Sequence, residues 1–517
     1  MAPSAVGRSR VAHNALLNFL GLAVPLGLAF FIVPVAALNL GPARFGLLGL
    51  AWAVTEYLTL FDLGLGRALV KFVADALHHA SPKLSEIVSL SMSAQLAAGF
   101  VGGSIIVLAS PSLVQDVFKI SPAIAGEALG VFRVVGVSVP FVLLMSGQRA
   151  VLEGAQRFDL SASLKMIGSV ASLSIPAIGA VLGVSLASIM IGVLISRLVM
   201  CGLYAVAIRR AVPEIRWTRS RDWTLLRQLV SFGGWVLVSN TVSPLLVYLD
   251  RFALGSIAGL AATGFYTAPY EGVVRLLLVP VALFGSLLPA LTSAEARKDQ
   301  LRLMQMTSSS ERVLAPLMAL PLAVVFVFAP EILRVWLGAQ YAAQSAVALR
   351  WLAVGVFANS LANPVFVMLY AKNRPDLPAK FHIVELAIHI PLTIYLIRMF
   401  GISGAAAAWT IRATLDMCLL LWAAARITAT PASVVAGARI LSTTAAIVVL
   451  IAGLGLSKIL ATISIIAGFM GLLGTSAVFA IYSWRWILGN AERAAILGTM
   501  GSYLKLAPAT RRGGPVL

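Results

Sequence analysis

The chain has 517 residues, of which 60% are hydrophobic and only 11% charged, and its mean hydropathy is +0.94. Soluble domains carry roughly 25% charged residues, so this composition excludes a sizeable soluble domain and describes a polytopic membrane protein. A net charge of +19 on a soluble surface would point to nucleic acid. In a membrane chain the same excess gathers in cytoplasmic loops and sets orientation, so no nucleic-acid partner is expected.

A membrane span needs about 20 mostly apolar residues. Fourteen stretches qualify: 15–38, 44–63, 85–109, 127–147, 159–182, 184–208, 227–250, 262–289, 312–330, 344–370, 381–399, 402–425, 434–457 and 461–484. The first follows Arg8 and Arg10 and is longer than the apolar core of a cleaved leader. It reads as a spanning helix whose N-terminus stays in the cytoplasm. On that topology 28 of the 39 Lys and Arg fall in cytoplasmic connections. Six, namely Arg44, Lys119, Arg251, Arg334, Arg398 and Lys458, fall outside. The bias holds at nearly every connection and places both termini in the cytoplasm.

The longest inside connection, "RRAVPEIRWTRSRDWTLLR" (209–227), divides the chain. The expected organisation is an N-lobe of six helices at 1–208 and a cytoplasmic linker at 209–226. A C-lobe of six helices follows at 227–425, with two additional helices at 426–484 and a basic cytoplasmic tail at 485–517. The fold class is therefore all-α, about fourteen transmembrane helices in two pseudo-symmetric six-helix lobes with a C-terminal pair appended. Spans 1 and 7 open their lobes, and both carry proline, Pro25 and Pro34 in one and Pro244 in the other. Broken helices at matching places mark a central transport path. After residue 484, "WRWILGNAERAAILGTMGSYLKL" has the spacing of an amphipathic helix lying along the inner membrane surface.

A charge at mid-membrane costs several kcal/mol and must face a partner or a water-filled cavity. Five arginines fall inside spans: Arg133, Arg197, Arg275, Arg350 and Arg412. Acidic residues in apolar segments include Glu56, Glu271, Glu385 and Asp416. Glu271 and Arg275 are four apart, as are Arg412 and Asp416, so each pair shares a helix face. Two readings stay open for these pairs: self-neutralising structural ion pairs, or cavity walls that exchange partners when substrate enters. Arg350 lies near a helix end, where it can snorkel. Arg133 and Arg197 have no acidic neighbour at helical spacing, and Arg197 lies deeper. Glu56 and Glu385 also lack an in-helix partner; each is a cross-helix partner or a proton carrier.

An excess of arginine over acid within the membrane implies an anionic substrate. Arginine binds phosphate oxygens bidentately and suits a diphosphate. Arg197 and Arg275 are best placed for a diphosphate or an acidic sugar. Tyr248, Tyr266, Tyr270 and Asn240 offer polar groups to sugars, or serve in packing.

Enzyme chemistry finds little support. The five histidines are scattered, and no HExxH, GxSxG or P-loop is present. Cys201 and Cys418 lie in apolar segments and offer neither a disulfide framework nor a metal spacing. No cofactor is implied. "LFDLGLGRALVKF" (60–72) has a glycine pair beside charge, but it lacks the third glycine and the βαβ context of a dinucleotide loop. It reads as a helix terminus, or as an inside gate in which Asp62 meets a basic group, with Arg67 beside it.

This stretch also carries a resemblance. "NLGPARFGLLGLAWAVTEYLTLFDLGLGRALVKFVA" (39–74) resembles the helix 1–2 turn and helix 2 of polysaccharide-transport proteins. Those are the O-antigen-type, lipid-linked oligosaccharide flippases of the multidrug/oligosaccharidyl-lipid/polysaccharide exporter superfamily. "VLEGAQRFDL" (151–160) and "YLDRFALGSIAGLAATGFYTAPYEGV" (248–273) are similar to further segments of that group in the same order. The resemblance implies two lobes around a cavity that opens alternately to each side. It also implies a polyprenyl-diphosphate-linked oligosaccharide as cargo, membrane lipids around it, and polysaccharide polymerase and glycosyltransferase machinery as partners. Drug or cation antiporters of the same superfamily would carry an acidic residue in helix 1, and 15–38 has none. Peptidoglycan-precursor flippases would carry charge there too. A membrane glycosyltransferase or polymerase would need a large outward loop, whereas the longest expected here, between spans 3 and 4, has about seventeen residues.

Overall fold

In hydrocarbon a backbone has no water to bond, so each apolar run must satisfy its own N–H and C=O groups as helix. The computed structural model describes the backbone of residues 5–58, 64–218, 222–431, 440–494 and 496–497. Within these, the side chains of 5–26, 58, 230–245, 284–286 and 440–441 fall outside the described residues. Asp62 and the side chains of Pro25, Asn240 and Pro244 therefore lie outside them.

The helices are α1 (Ala5–Leu58), α2 (Leu65–His78), α3 (Leu84–Ser112), α4 (Pro122–Gly154), α5 (Phe158–Val181), α6 (Leu186–Ala211), α7 (Trp223–Ile257) and α8 (Gly259–Val273). They continue as α9 (Leu278–Ala296), α10 (Gln300–Val327), α11 (Ala329–Leu337), α12 (Ala339–Ala371), α13 (Asp376–Thr428), α14 (Ile440–Ile463) and α15 (Ile465–Tyr482). Among the described residues, eleven helical stretches are long and apolar enough to cross a membrane. Two of them contain a break. Gly41 (φ 73°, ψ 167°) divides α1, and Gly401 (φ 56°, ψ −128°) divides α13. Each broken helix coincides with a pair of expected spans. At Gly41 the positive φ turns the chain and Pro42 opens the second arm.

Several connections differ from expectation. The segment after "LFDLG" is not a loop: Gly64 takes a left-handed conformation (φ 71°) and starts α2. Leu65, Ala68, Leu69, Val73 and Ala76 form the buried stripe of this amphipathic helix. They pack with Ile87 and Met92 of α3, Val151 and Leu152 of α4, and Met200 and Tyr204 of α6. The expected loop between spans 3 and 4 is mostly helical, because α3 runs on through a wide turn at Leu113–Val117 and α4 begins at Pro122. The described start of the tail, residues 485–494, packs against the second unit's own helices. Ile487 is fully buried with Ala319 and Ala323 of α10 and Leu450 and Leu454 of α14.

The chain forms two compact units. The first comprises Met1–Leu278, Ala329–Leu352 and Ala379–Arg412; the second comprises Val279–Phe328, Ala353–Pro378 and Ala413–Leu517. In the first, the second arm of α1 meets α8 backbone to backbone at two glycines. A Cβ on Gly46 would lie 1.9 Å from the Leu260 carbonyl oxygen, and one on Gly264 would lie 2.0 Å from that of Pro42. Both glycines belong to the stretches that carry the resemblance. Close approach of small residues is how helices pack tightly in lipid, where no hydrophobic effect drives them together.

Candidate functional site: a cationic cavity in the first unit

The first unit encloses a cavity of about 880 Å³ walled by α1, α2, α4, α5, α6, α7 and α8 with the turn that follows it. Six basic and three acidic side chains line it, a formal excess of three positive charges. Trp52, Tyr204, Tyr248 and the hydroxyls of Ser146, Ser169, Ser172 and Ser196 make up part of the remaining wall.

One basic group centres on Glu271. Its Oε1 accepts from Nη2 of Arg251 at 2.7 Å, and its Oε2 lies 3.2 Å from Nη2 of Arg275. A single carboxylate thus serves two guanidinium groups. Arg275 comes within reach because a tight turn at Val274–Leu277 follows α8. Arg251 is 2% exposed, its guanidinium carbon 4.6 Å from the Tyr270 ring centre and 5.1 Å from that of Tyr248. Stacking on two rings stabilises a desolvated cation. Its neighbour Asp250, also buried, accepts from the Arg251 N–H and from the Tyr266 hydroxyl.

Arg197 on α6 donates to Ser138 Oγ at 2.5 Å and has no ion pair among the described residues. Glu56 also lines the cavity. Nearer the α4–α5 turn stand Arg67, Arg149 and Lys165. Arg149 lies 3.5 Å from Glu153, which also accepts from Ser161. Neither Arg67 nor Lys165 makes an ion pair among the described residues.

Helix registers give the separation. Lys165 is sixteen residues from the end of α5 at Val181, and Arg197 is eleven from the start of α6 at Leu186. At 1.5 Å per residue these two antiparallel neighbours place their basic groups about 7 Å apart in depth. Arg149, five residues from the end of α4, lies about 3 Å nearer the turn than Lys165.

Of the residues singled out in the sequence, Arg197, Arg275, Glu56, Glu271 and Arg67 come together on this cavity. Tyr270 lies behind it, under Arg251. Arg133 does not reach it, since its side chain is exposed on another face of α4. Arg412 and Glu385 lie elsewhere in the first unit, buried and 3.4 Å apart across the two arms of α13. Asp416 is buried one turn beyond Arg412. The cross-helix partner expected for Glu385 is thus Arg412.

Arg251 is the residue that sequence reasoning misplaced. It was expected in an outside loop, but α7 continues to Ile257 and buries it. The signal was the absence of any turn residue between Asp250–Arg251 and Gly255, together with Tyr248 three residues earlier on the same helix face. Arg149 and Lys165, at the ends of α4 and α5, also line the cavity.

The fold matches solved membrane transporters. An inward-facing multidrug resistance MATE family transporter of the MOP superfamily aligns with a TM-score of 0.69 at 14% identity, over 80% of this chain and 98% of that one. The lipid II flippase MurJ, in an inward closed conformation, aligns with a TM-score of 0.66 at 14% identity, over 89% of this chain and 98% of that one. Fold and composition together define a polytopic, all-α membrane protein with the architecture of those transporters. The chain belongs to the polysaccharide biosynthesis protein family, whose family model matches residues 36–346, more than half its length. Among its relatives is a candidate O-antigen transporter of Shigella flexneri, 28% identical over 80% of this chain and 97% of its own. A candidate low-salt glycan biosynthesis flippase of Haloferax volcanii, Agl15, is 24% identical over 35% of this chain and 38% of its own.

Proposed function

We propose that the protein is a flippase that moves a polyprenyl-diphosphate-linked oligosaccharide across the bacterial cytoplasmic membrane by alternating access. The observation that carries this reading is the pair Arg251–Arg275 bridged by Glu271, with Arg197 nearby, on a polar cavity between apolar helices. Three guanidinium groups set against Glu271 and Glu56 suit a diphosphate, which accepts bidentately and brings the missing negative charge. Serine hydroxyls and aromatic faces in the same wall suit sugars, while the lipid tail stays in the bilayer. The likeness to the candidate O-antigen transporter of Shigella and the candidate glycan flippase of Haloferax supports this cargo.

The finer proposals follow from it. Both termini and the α4–α5 turn face the cytoplasm, and about fourteen spans form a 1–208 lobe and a 227–425 lobe with an appended pair. Glu56, Glu271, Glu385 or Asp416 couples transport to an ion, and Asp62 with Arg67 gates the inner side. Polymerase and glycosyltransferase machinery deliver and receive the cargo. The test is export: Arg275→Ala should abolish surface polysaccharide while leaving the protein level intact. Unchanged export would remove Arg275 from the site.

A further inference from the structure

The connection between α6 and α7 is not a slack tether. Two serines one turn apart on α3 hold it down. Ser85 Oγ accepts from the Arg216 N–H at 3.0 Å and donates to the Glu214 carbonyl at 3.1 Å, and Ser89 Oγ accepts from the Thr218 N–H at 3.0 Å. Asp222 accepts from the Thr224 and Leu225 N–H groups and so caps α7. Val212, Leu225 and Leu229 are buried with residues of α2 and α3, and Ile215 packs on the same cluster. The inward side of this strap is therefore apolar and fixed.

Its outward side is aromatic and basic. Trp217 is 61% exposed and Trp223 is 76% exposed. Trp223 and Arg227 share the face of α7 opposite the buried Leu225 and Leu229. Arg209, Arg210, Arg216 and Arg227 are exposed, and none makes an ion pair among the described residues. The whole connection, 209–227, carries six arginines and two acids, with Arg219 and Arg221 outside the described residues. Helix α6 has 26 residues, a length of about 39 Å at 1.5 Å per residue, against about 30 Å of hydrocarbon. Its end, with Arg209 and Arg210, thus reaches the headgroup layer, and the strap starts there. Setting orientation needs only the charges. It requires neither two bare indoles nor a strap pinned to α3. Indoles seat at the boundary between hydrocarbon and headgroups, and arginine binds phosphate oxygens bidentately.

We propose that this strap docks on anionic phospholipid headgroups of the cytoplasmic leaflet, with Trp217 and Trp223 at the hydrocarbon boundary and Arg209, Arg216 and Arg227 on the phosphates. Charge complementarity selects an anionic lipid over a zwitterionic one. The two tryptophans select a membrane over a soluble polyanion. The strap acts outside the cavity, whatever the cavity carries.

The test titrates the gel-filtered full chain in dodecyl maltoside with dioleoyl-phosphatidylglycerol or dioleoyl-phosphatidylcholine, and counts bound lipid by native mass spectrometry. An arginine near an anionic surface is worth about fivefold in affinity, so wild type should bind phosphatidylglycerol at least about tenfold more tightly than phosphatidylcholine. Arg209→Gln/Arg216→Gln/Arg227→Gln should lose at least about tenfold for phosphatidylglycerol. Trp217→Ala/Trp223→Ala keeps every charge and should lose at least about fivefold. Arg297→Gln/Lys298→Gln/Arg302→Gln removes as many charges from the connection between α9 and α10, and should stay within about twofold of wild type. Equal loss in the two triple variants overturns the proposal, because net charge alone would then set binding. Unchanged binding in the tryptophan variant overturns it as well. Wild-type chain without a preference for phosphatidylglycerol also overturns it, and assigns the bare tryptophans to a soluble protein partner.

Discussion

The guanidinium of Arg251 on α7 meets the carboxylate of Glu271 on α8 at 2.7 Å, with Arg251 2% exposed. The same carboxylate holds Arg275, so Glu271 is the pivot of the group. Removing one partner of a buried ion pair leaves an uncompensated charge and costs about 3–5 kcal/mol. Glu271→Gln should therefore lower the melting temperature of the detergent-solubilised protein sharply. Arg275→Ala should lower it far less, since Arg275 is the more exposed arginine and Glu271 keeps Arg251. Similar melting of the two variants would mean that Glu271 is not the shared counter-charge.

Arg197 presents the opposite balance. Its described hydrogen-bond partner is the neutral Ser138 hydroxyl, and no carboxylate lies within ion-pair distance among the described residues. Holding such a cation in an apolar helix opposes stability. Arg197→Met should leave the melting temperature unchanged or raise it, while flipping in vesicles falls at least about tenfold. Flipping that stays at the wild-type rate would remove Arg197 from the cargo path. Sites that sacrifice stability for function are expected at binding cavities.

How much of this was legible depended on how local the governing interaction is. Spans were readable because an apolar run of sufficient length has one outcome in lipid. Gly41 and Gly401 were readable as breaks for the same reason, lying where adjacent runs meet. Arg251 was not, because its counter-charge Glu271 and the ring of Tyr270 lie on the next helix, α8, and only Tyr248 is local. In a local window two adjacent charges look like the end of a span. Arg133 and Arg197 are alike in sequence, each an arginine in an apolar helix. Which faces the cavity is decided by helix rotation, and that is set by packing, such as the close approach of Gly103 on α3 to Gly136 on α4. The helix α2 escaped notice because its buried stripe is too short and too mixed with charge to resemble a span.

The Gly46–Gly264 contact makes a separable prediction. Alanine at 46 would set a methyl 1.9 Å from the Leu260 carbonyl oxygen and 2.8 Å from the Gly264 nitrogen, both backbone atoms that cannot rotate away. The helices must part, at the upper end of the roughly 1–3 kcal/mol seen for overpacking or beyond it. Gly126 on α4 is a control, with nothing within 4 Å of its added methyl. Gly126→Ala should be neutral or stabilise by about 0.5–1 kcal/mol through helix propensity. Expression yield and melting temperature of the two variants read the difference; equal behaviour would sink the close-approach argument.

The docked tail gives the pH prediction. Glu492, on the short helix at 490–494, accepts from Ser309 Oγ at 2.6 Å and from Arg312 Nε at 3.0 Å, both on α10. Burial alone would raise its pKa, but the hydrogen bonds from Ser309 and Arg312 outweigh burial and hold the carboxyl down at about 2, against an ordinary 4.5. Unfolded chain therefore takes up this proton first as the solution is acidified. The stabilisation from Glu492 is complete above about pH 4.5 and is lost as pH falls towards 2. Glu492→Gln keeps the shape and removes the charge, a loss of about 1–3 kcal/mol for a charge-assisted buried bond. Melting curves of wild type and Glu492→Gln should differ most near neutral pH and converge as the buffer is taken below about pH 4. A gap that stays constant across that range would show that the carboxylate charge does not hold the tail to α10.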